Sequence, residues 1–253
     1  MRRRSDLLPP ALVRAYRRSR RRAGVFGDFP DWTTALAASN PYETDLAAYG
    51  QLTNQARLGA GGSGRNLMPL LAGIAIAFDG VPARVLDFGG NLGAVYFDVV
   101  RAVPDRISEW RVVDVEEVVK YGSDKYADER LSFFASVESA CDGFAPNLVV
   151  CSHTLQYLEK PYDALAMLSA LKPAGIVLHE LPIAEQERFL VQRLPESLGG
   201  TERPVQILSS VRLATALTDY DLLADMDLPA WDPYIDARHA AQVYRRRHLE
   251  SVT

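Results

Sequence analysis

Cysteine is scarce in this chain, with only Cys141 and Cys151 among 253 residues. Two thiols exclude a disulfide framework and a thiolate metal centre, and they suit a reducing compartment. Cys151 sits in an apolar run and reads as a buried small side chain. No metal site is expected. Also missing is any apolar run near the roughly 20 residues that span a bilayer, because Gly, Pro or charge interrupts the longest ones. That excludes a spanning helix and points to a soluble, cytoplasmic protein. No internal repeat or low-complexity tract interrupts the series of elements.

What is present is a 48% hydrophobic composition, enough to bury the core of one α/β domain with additions. Charge is uneven. Residues 1–22 hold nine arginines against Asp6 alone, so this arm's formal charge of +8 within a chain total of −4 leaves −12 on the remainder. Leu7, Leu8, Ala11, Leu12, Val13 and Tyr16 interleave with those arginines. A short amphipathic helix there would suit an anionic membrane surface or an acidic partner. A solvated tail and an Arg-rich transit peptide fit the same composition.

The chain divides into a basic arm at 1–24, a cap or lid at 25–64 and a main domain at 65–253. Residues 26–32 are aromatic and turn-rich and read as lid rather than core strand. Helices are expected near 33–38 and 43–58, with a Gly/Ser hinge at 59–64. A helix at 66–78 leads into strands at 85–87, 110–114, 131–134, 148–152 and 175–180. Helices at 93–103, 116–121, 136–140, 154–159 and 161–171 alternate with them, which specifies a parallel sheet covered on both faces. A helix at 211–217 and a strand at 220–228 follow, while residues 241–248 lean towards helix on propensity alone.

The first strand of this series ends in Asp87-Phe88-Gly89-Gly90-Asn91-Leu92-Gly93. Glycines let the backbone curl and let a ligand approach it, and the next helix offers unpaired N–H groups. The spacing differs from the G-x-G-x-x-G of dinucleotide enzymes. Asp87, Gly89 and Gly93 resemble motif I of the class I S-adenosylmethionine (SAM) methyltransferases. Asn91 stands where that family commonly has glycine, and Asn is the residue after Gly most at ease in a left-handed backbone.

With Trp110-Arg111-Val112-Val113-Asp114, Leu155-Gln156-Tyr157-Leu158-Glu159 and Gly27-Asp28-Phe29-Pro30-Asp31-Trp32, the loop resembles a bacterial family of inferred methyltransferases often found with surface-polysaccharide genes. The likeness covers about residues 25–228. It implies an α/β, Rossmann-like class I methyltransferase fold with a seven-stranded, mostly parallel sheet, helices on both faces and a helical N-terminal cap. It also implies that 241–248 form a last, antiparallel strand, one face of which would be strongly basic through its arginines.

The resemblance implies SAM as cofactor, with Asp87, Gly89, Gly90, Asn91 and Gly93 around its methionine part. A carboxylate at the end of the second strand can accept both ribose hydroxyls; Asp114 stands there, followed by Val115, with helix capping as its ordinary alternative. For adenine, Ser136, Val137 and one of Phe133 and Phe134 offer a slot. Ser152 and His153, closing the fourth strand, would border the sulfonium and its methyl. For a hydroxyl acceptor, His153 and Glu180 are the candidate bases, and only one of Glu180 and its strand neighbour His179 can face the crevice. Gln156 and Tyr157 would hydrogen-bond a polar acceptor. Arg188, Gln192 and Arg193 follow at helical spacing and would hold an anionic or sugar substrate, or form a solvated face.

These residues support a SAM-dependent methyltransferase acting on an oxygen or nitrogen of a small-molecule or glycan-linked acceptor. The alternative is a catalytically inactive methyltransferase-like binding protein. Nucleic acid is not the expected partner, because the remainder is acidic and no N-P-P-Tyr type motif follows the fourth strand.

Overall fold

The computed structural model describes residues 9–19, 22–39, 45–60, 66–78, 80–230, 232 and 235–247. The N-terminal elements are α1 (Pro10–Ser19), β1 (Gly24–Phe29), α2 (Trp32–Ala37), α3 (Leu46–Leu58) and α4 (Met68–Ala77). Alternation then begins with β2 (Ala83–Phe88), α5 (Ala94–Ala102), β3 (Ile107–Val113), α6 (Glu116–Lys125), β4 (Leu131–Phe134) and α7 (Val137–Ala140). It continues through β5 (Leu148–Ser152), α8 (Pro161–Ala170) and β6 (Gly175–Ala184). The chain ends in β7 (Arg188–Arg193), β8 (Glu202–Ser209), α9 (Ser210–Ala216), β9 (Tyr220–Asp227) and β10 (Arg238–Arg246).

The main sheet runs β4-β3-β2-β5-β6-β10-β9, with β10 antiparallel to both neighbours and the other pairings parallel. Successive strand residues point to opposite faces, so each strand feeds two cores. On one face Leu70 and Ile74 of α4, Val99 of α5 and Val118 of α6 pack with Val85, Trp110, Val112 and Val150. On the other, Ala140 of α7, Leu165 and Leu168 of α8 and Leu213 of α9 pack with Leu86, Val149, Ile176 and Leu178. β5 lies between them with every residue buried, which is why Leu148 to Ser152 reads as an almost unbroken apolar run.

The expected sheet of seven strands is present, and three further strands are added to it. β1, β7 and β8 form an antiparallel unit, which joins the main sheet where Ile183 and Ala184 of β6 pair with Leu208 and Ser209 of β8. Two expectations are corrected here. Residues 24–29 form a strand, with Val25 and Phe26 buried, rather than a lid without one, so the cap is not purely helical. Residues 188–193 form β7 instead of the helix that Arg188, Gln192 and Arg193 suggested. β1 is held by β7, more than a hundred residues away in sequence, a pairing that local periodicity does not carry, and β7 also forms a hairpin with β8. Residues 154–159 give only a 3-10 turn at Leu155–Tyr157, since Pro161 disfavours helix in the residue before it and opens α8 instead.

The last strand is the one the resemblance implied, against local propensity. Its basic face does not form, because β10 is central and buries both Val243 and Tyr244, leaving Arg245 and Arg246 exposed at its end. In the arm, α1 packs on β1 through Val13, with Leu12 and Tyr16 exposed. Leu7, Leu8 and residues 61–64 of the expected hinge lie outside the described residues. No helix among the described residues is long and apolar enough to cross a membrane.

His239 of β10 is buried, and burial pushes its pKa down from 6.5 to about 4, against the raising influence of Asp232 and Glu180. The folded state therefore holds it neutral while the unfolded chain takes up a proton below 6.5. Its contribution is complete above pH 6.5 and is lost as pH falls towards 4, on the order of 3 kcal/mol in full. Urea unfolding of the wild type should accordingly lose more stability between pH 7 and pH 5 than that of His239→Asn. Equal losses in the two proteins would refute this.

Candidate active site

The turn after β2 is built around two glycines. At Gly89, φ is +71° and an added Cβ would lie 2.2 Å from Thr154 Cγ2; at Gly90 it would lie 2.4 Å from Asp87 Oδ2. Asp87 is fully buried beneath the loop and accepts a 3.0 Å hydrogen bond from Trp110 Nε1. Asn91 has φ 51°, the left-handed conformation expected of it, and its Oδ1 accepts from Leu92 N at 2.8 Å. Gly93, at φ 78°, starts α5.

Gly89→Ala should destabilise the fold by about 2–4 kcal/mol, combining backbone strain with displacement of Thr154. Gly80→Ala is the comparison, because Gly80 also has positive φ but open space around it. Strain alone should cost it about 1–2 kcal/mol. Equal shifts in the two urea midpoints would show that the contact with Thr154 contributes nothing.

Asp114, just past β3, closes the loop from the side. Its Oδ2 accepts from Asn91 N at 2.9 Å and its Oδ1 from Val115 N at 2.8 Å. Burial pushes its carboxyl pKa up, opposed by those two N–H groups. A cavity of about 430 Å³ opens beside it, lined by Gly89, Gly90, Asn91, Asp114 and Val115 at one end and by Ser152, His153, Thr154 and Tyr157 further along. Trp32 and Leu36 of α2, Tyr49 and Leu52 of α3, and Arg203 and Pro204 of β8 complete the wall.

The far end rests on a β-bulge. Between Leu178 and Leu181, β6 has two residues, His179 and Glu180, opposite the single Ala241 of β10. Glu180 takes φ 59° there, and His153, at the end of β5, takes φ 57°. These unusual backbones aim the two side chains at each other, with His153 Nδ1 3.8 Å from Glu180 Oε2. His179 is fully buried, its Nδ1 2.9 Å from Ser152 Oγ. On the other side of His153, Nε2 lies 2.8 Å from the Tyr157 hydroxyl, which donates to Gln192 Oε1 at 2.8 Å. Arg203 Nε donates to the same oxygen at 3.2 Å, and its guanidinium lies 3.7 Å over the Tyr157 ring.

The structure thus brings together at one cavity Gly89, Gly90, Asn91, Asp114, Val115, Ser152, His153 and Tyr157, with Glu180 and Gln192 behind His153 and Tyr157. Other expected site residues lie elsewhere. Ser136 caps α7 by accepting from Ser139 N, and Val137 is buried; neither Phe133 nor Phe134 lines the cavity. Val115, 60% exposed beside Asp114, supplies the apolar surface instead. Gln156 is fully buried, 3.4 Å from the Glu180 carbonyl. Arg188 pairs with Asp28 of β1, and Arg193 with Glu196 and Glu202, away from the cavity, because their segment is a strand. Thr154 and Arg203 went unnoticed in the sequence. Thr154 follows His153 directly, whereas nothing local marks Arg203. No cluster among the described residues could hold a metal ion.

The donor set suits SAM. Gly89 and Gly90 let Thr154 and Asp87 pack against the turn while the turn still lines the cavity, Asp114 offers a carboxylate to vicinal hydroxyls, and Val115 offers an apolar face. Among solved structures, the magnesium protoporphyrin IX methyltransferase ChlM of Synechocystis PCC 6803, with bound SAM, aligns over 95% of this chain and 98% of its own, at 12% identity and a TM-score of 0.50. A Burkholderia thailandensis 1,6-didemethyltoxoflavin-N1-methyltransferase aligns over 83% and 93%, at 17% identity and 0.48. The CcbJ methyltransferase of Streptomyces caelestis aligns over 71% and 89%, at 14% identity and 0.48. The first of these likenesses establishes a shared fold. No curated protein matches the sequence. The model of the family described as "Methyltransferase domain" matches residues 64–252, so this chain belongs to the methyltransferase domain family.

Proposed function

We propose that the protein is a SAM-dependent methyltransferase that methylates an oxygen or nitrogen of a small-molecule or glycan-linked acceptor in the bacterial cytoplasm. The observation that carries this is one continuous cavity, running from the glycine turn and Asp114 to His153 and Tyr157. SAM, when bound, supplies a methyl group already activated on a sulfonium. The protein's task is then to align a nucleophile and exclude water. Asp114 receives the ribose hydroxyls and the Gly89–Gly90 backbone makes room for the methionine part. Trp32 and Leu36 of α2 and Tyr49 and Leu52 of α3 add apolar wall to the cavity. His153, backed by Glu180 and in contact with the Tyr157 hydroxyl, holds or takes the acceptor's proton. The glycan-linked acceptor rests on the resemblance to the surface-polysaccharide family, and the exposed Leu12 and Tyr16 of α1 support a peripheral role for the basic arm on an anionic membrane or acidic partner.

Incubating the protein with methyl-labelled SAM and a cell extract, then identifying the labelled molecule, tests the proposal. A labelled small molecule or glycan supports it. Binding of S-adenosylhomocysteine without transfer to any fraction would favour the non-catalytic reading instead.

A further inference from the structure

We propose that Thr154 is a positioning residue, whose hydroxyl keeps the glycine turn and His153 aligned so that the acceptor is presented where the methyl group arrives; this rests on the methyltransferase reading of the same cavity. β2 and β5 are paired as far as Asp87 and Val150. Residues past that pair, Gly89 and Gly90 on one strand end and Ser152, His153 and Thr154 on the other, line the cavity. The Thr154 hydroxyl bridges the two ends. Its Oγ1 lies 3.1 Å from the carbonyl oxygen of Gly89 and 3.0 Å from that of Ser152, and its single proton serves both. Gly89 is also held from the β3 side, because its N–H donates to Val113 O at 2.8 Å, next to Asp114.

The same residue fixes the backbone around His153. Ser152 O accepts from the Thr154 hydroxyl, and His153 N donates to His179 O at 2.8 Å. Between these ties His153 keeps φ 57°, a conformation that a bulky side chain holds only where its surroundings enforce it. Thr154 O in turn accepts from Tyr157 N at 2.9 Å, which places the phenol whose oxygen lies 2.8 Å from His153 Nε2. The approach to the turn is close, since a Cβ on Gly89 would lie 2.5 Å from Thr154 Oγ1. Methyl transfer needs nucleophile, carbon and sulfur in line, and a displacement of about 1 Å costs roughly a hundredfold in rate. A hydroxyl tied to both strand ends limits that displacement.

The test uses the full chain with Thr154→Val, which keeps the shape and removes the hydroxyl, and Thr154→Ser, which keeps the hydroxyl. Each is made in the wild type and in His153→Ala, and transfer from methyl-labelled SAM into the acceptor fraction of the extract is measured. Thr154→Val should lower the maximal rate by about tenfold or more, with the KM for SAM and the S-adenosylhomocysteine affinity within about threefold of wild type. Thr154→Ser should restore the rate to within about threefold of wild type. In His153→Ala the loss caused by Thr154→Val should shrink to below about twofold, because a residue that acts through His153 has nothing left to position. A wild-type rate in Thr154→Val, no rescue by Thr154→Ser, or an equal loss in both backgrounds would overturn the assignment. So would a loss confined to cofactor binding, which would make Thr154 only a support of the turn. Thr154→Ala takes the place of Thr154→Val should the latter not fold, with the same expectations. Failure of the wild type to bind S-adenosylhomocysteine or to transfer label to any fraction would remove the methyltransferase reading itself, and this assignment with it.

Discussion

Asp114→Ala is expected to weaken S-adenosylhomocysteine binding by about 10²- to 10⁴-fold, because hydrogen bonds from two ribose hydroxyls to one carboxylate are each worth roughly 1.5–3 kcal/mol. The same carboxylate accepts from Asn91 N and Val115 N, so the substitution also releases the loop. Asp114→Asn separates the two effects, since its carbonyl oxygen keeps one of those acceptors. Burial raises the Asp114 pKa. A carboxyl raised in the folded state stabilises the fold below its unfolded pKa, and that contribution is lost as pH rises through the folded value. Asp114→Asn, which keeps one of the two acceptors and buries no charge, should be destabilised less than Asp114→Ala while binding poorly. The same shift means that cofactor affinity falls, as pH is lowered, at a higher pH than an ordinary carboxylate would give. Calorimetry across pH with parallel urea melts checks all three statements; undiminished affinity in Asp114→Ala would remove Asp114 from the site.

The second large effect concerns His153 and Glu180. If the proton moves through His153, His153→Ala should lower the rate of methyl transfer by about 10²- to 10⁴-fold with S-adenosylhomocysteine affinity unchanged. Glu180→Gln should lower it less, since it removes only the carboxylate 3.8 Å behind His153 Nδ1. Tyr157→Phe keeps the ring under Arg203 but removes the hydroxyl between His153 and Gln192, and tests whether that hydroxyl takes part. Transfer from labelled SAM into the acceptor fraction is the readout. A loss below about tenfold in His153→Ala would mean that alignment alone drives the reaction, which SAM chemistry permits.

What was legible in the sequence follows from range. Asp87 to Gly93, Asp114 and Ser152-His153 each close a strand whose neighbours in the sheet are set by short alternating units, so strand order and much of the cavity lining could be read from local pattern. Asn91 in the left-handed region was readable from residue chemistry alone. β1 was not readable, because its partner β7 is more than a hundred residues away, whereas at β7 the helical spacing of Arg188, Gln192 and Arg193 masked a local hairpin with β8, and Arg188 consequently drew attention that belonged to Arg203. Ser136 and Val137 stand apart from the cavity for a different reason. Ser136 is consumed by the cap of α7, the bland role that a Ser before a short helix usually fills. β10 needed the resemblance, since central burial on both faces overrode the helical leaning of its residues.

The bulge in β6 exists only where β10 lies against it, and β10 is the last strand in the chain. The glycine turn and Asp114 are fixed by β2 and β3 within about thirty residues of one another. The aim of Glu180 at His153 waits on a contact spanning some sixty. Loop closure over longer separations is slower, so the two ends of the cavity mature at different times during folding. A chain still emerging from the ribosome would form the turn beside Asp114 first, and bring Glu180 to His153 only once β10 had docked.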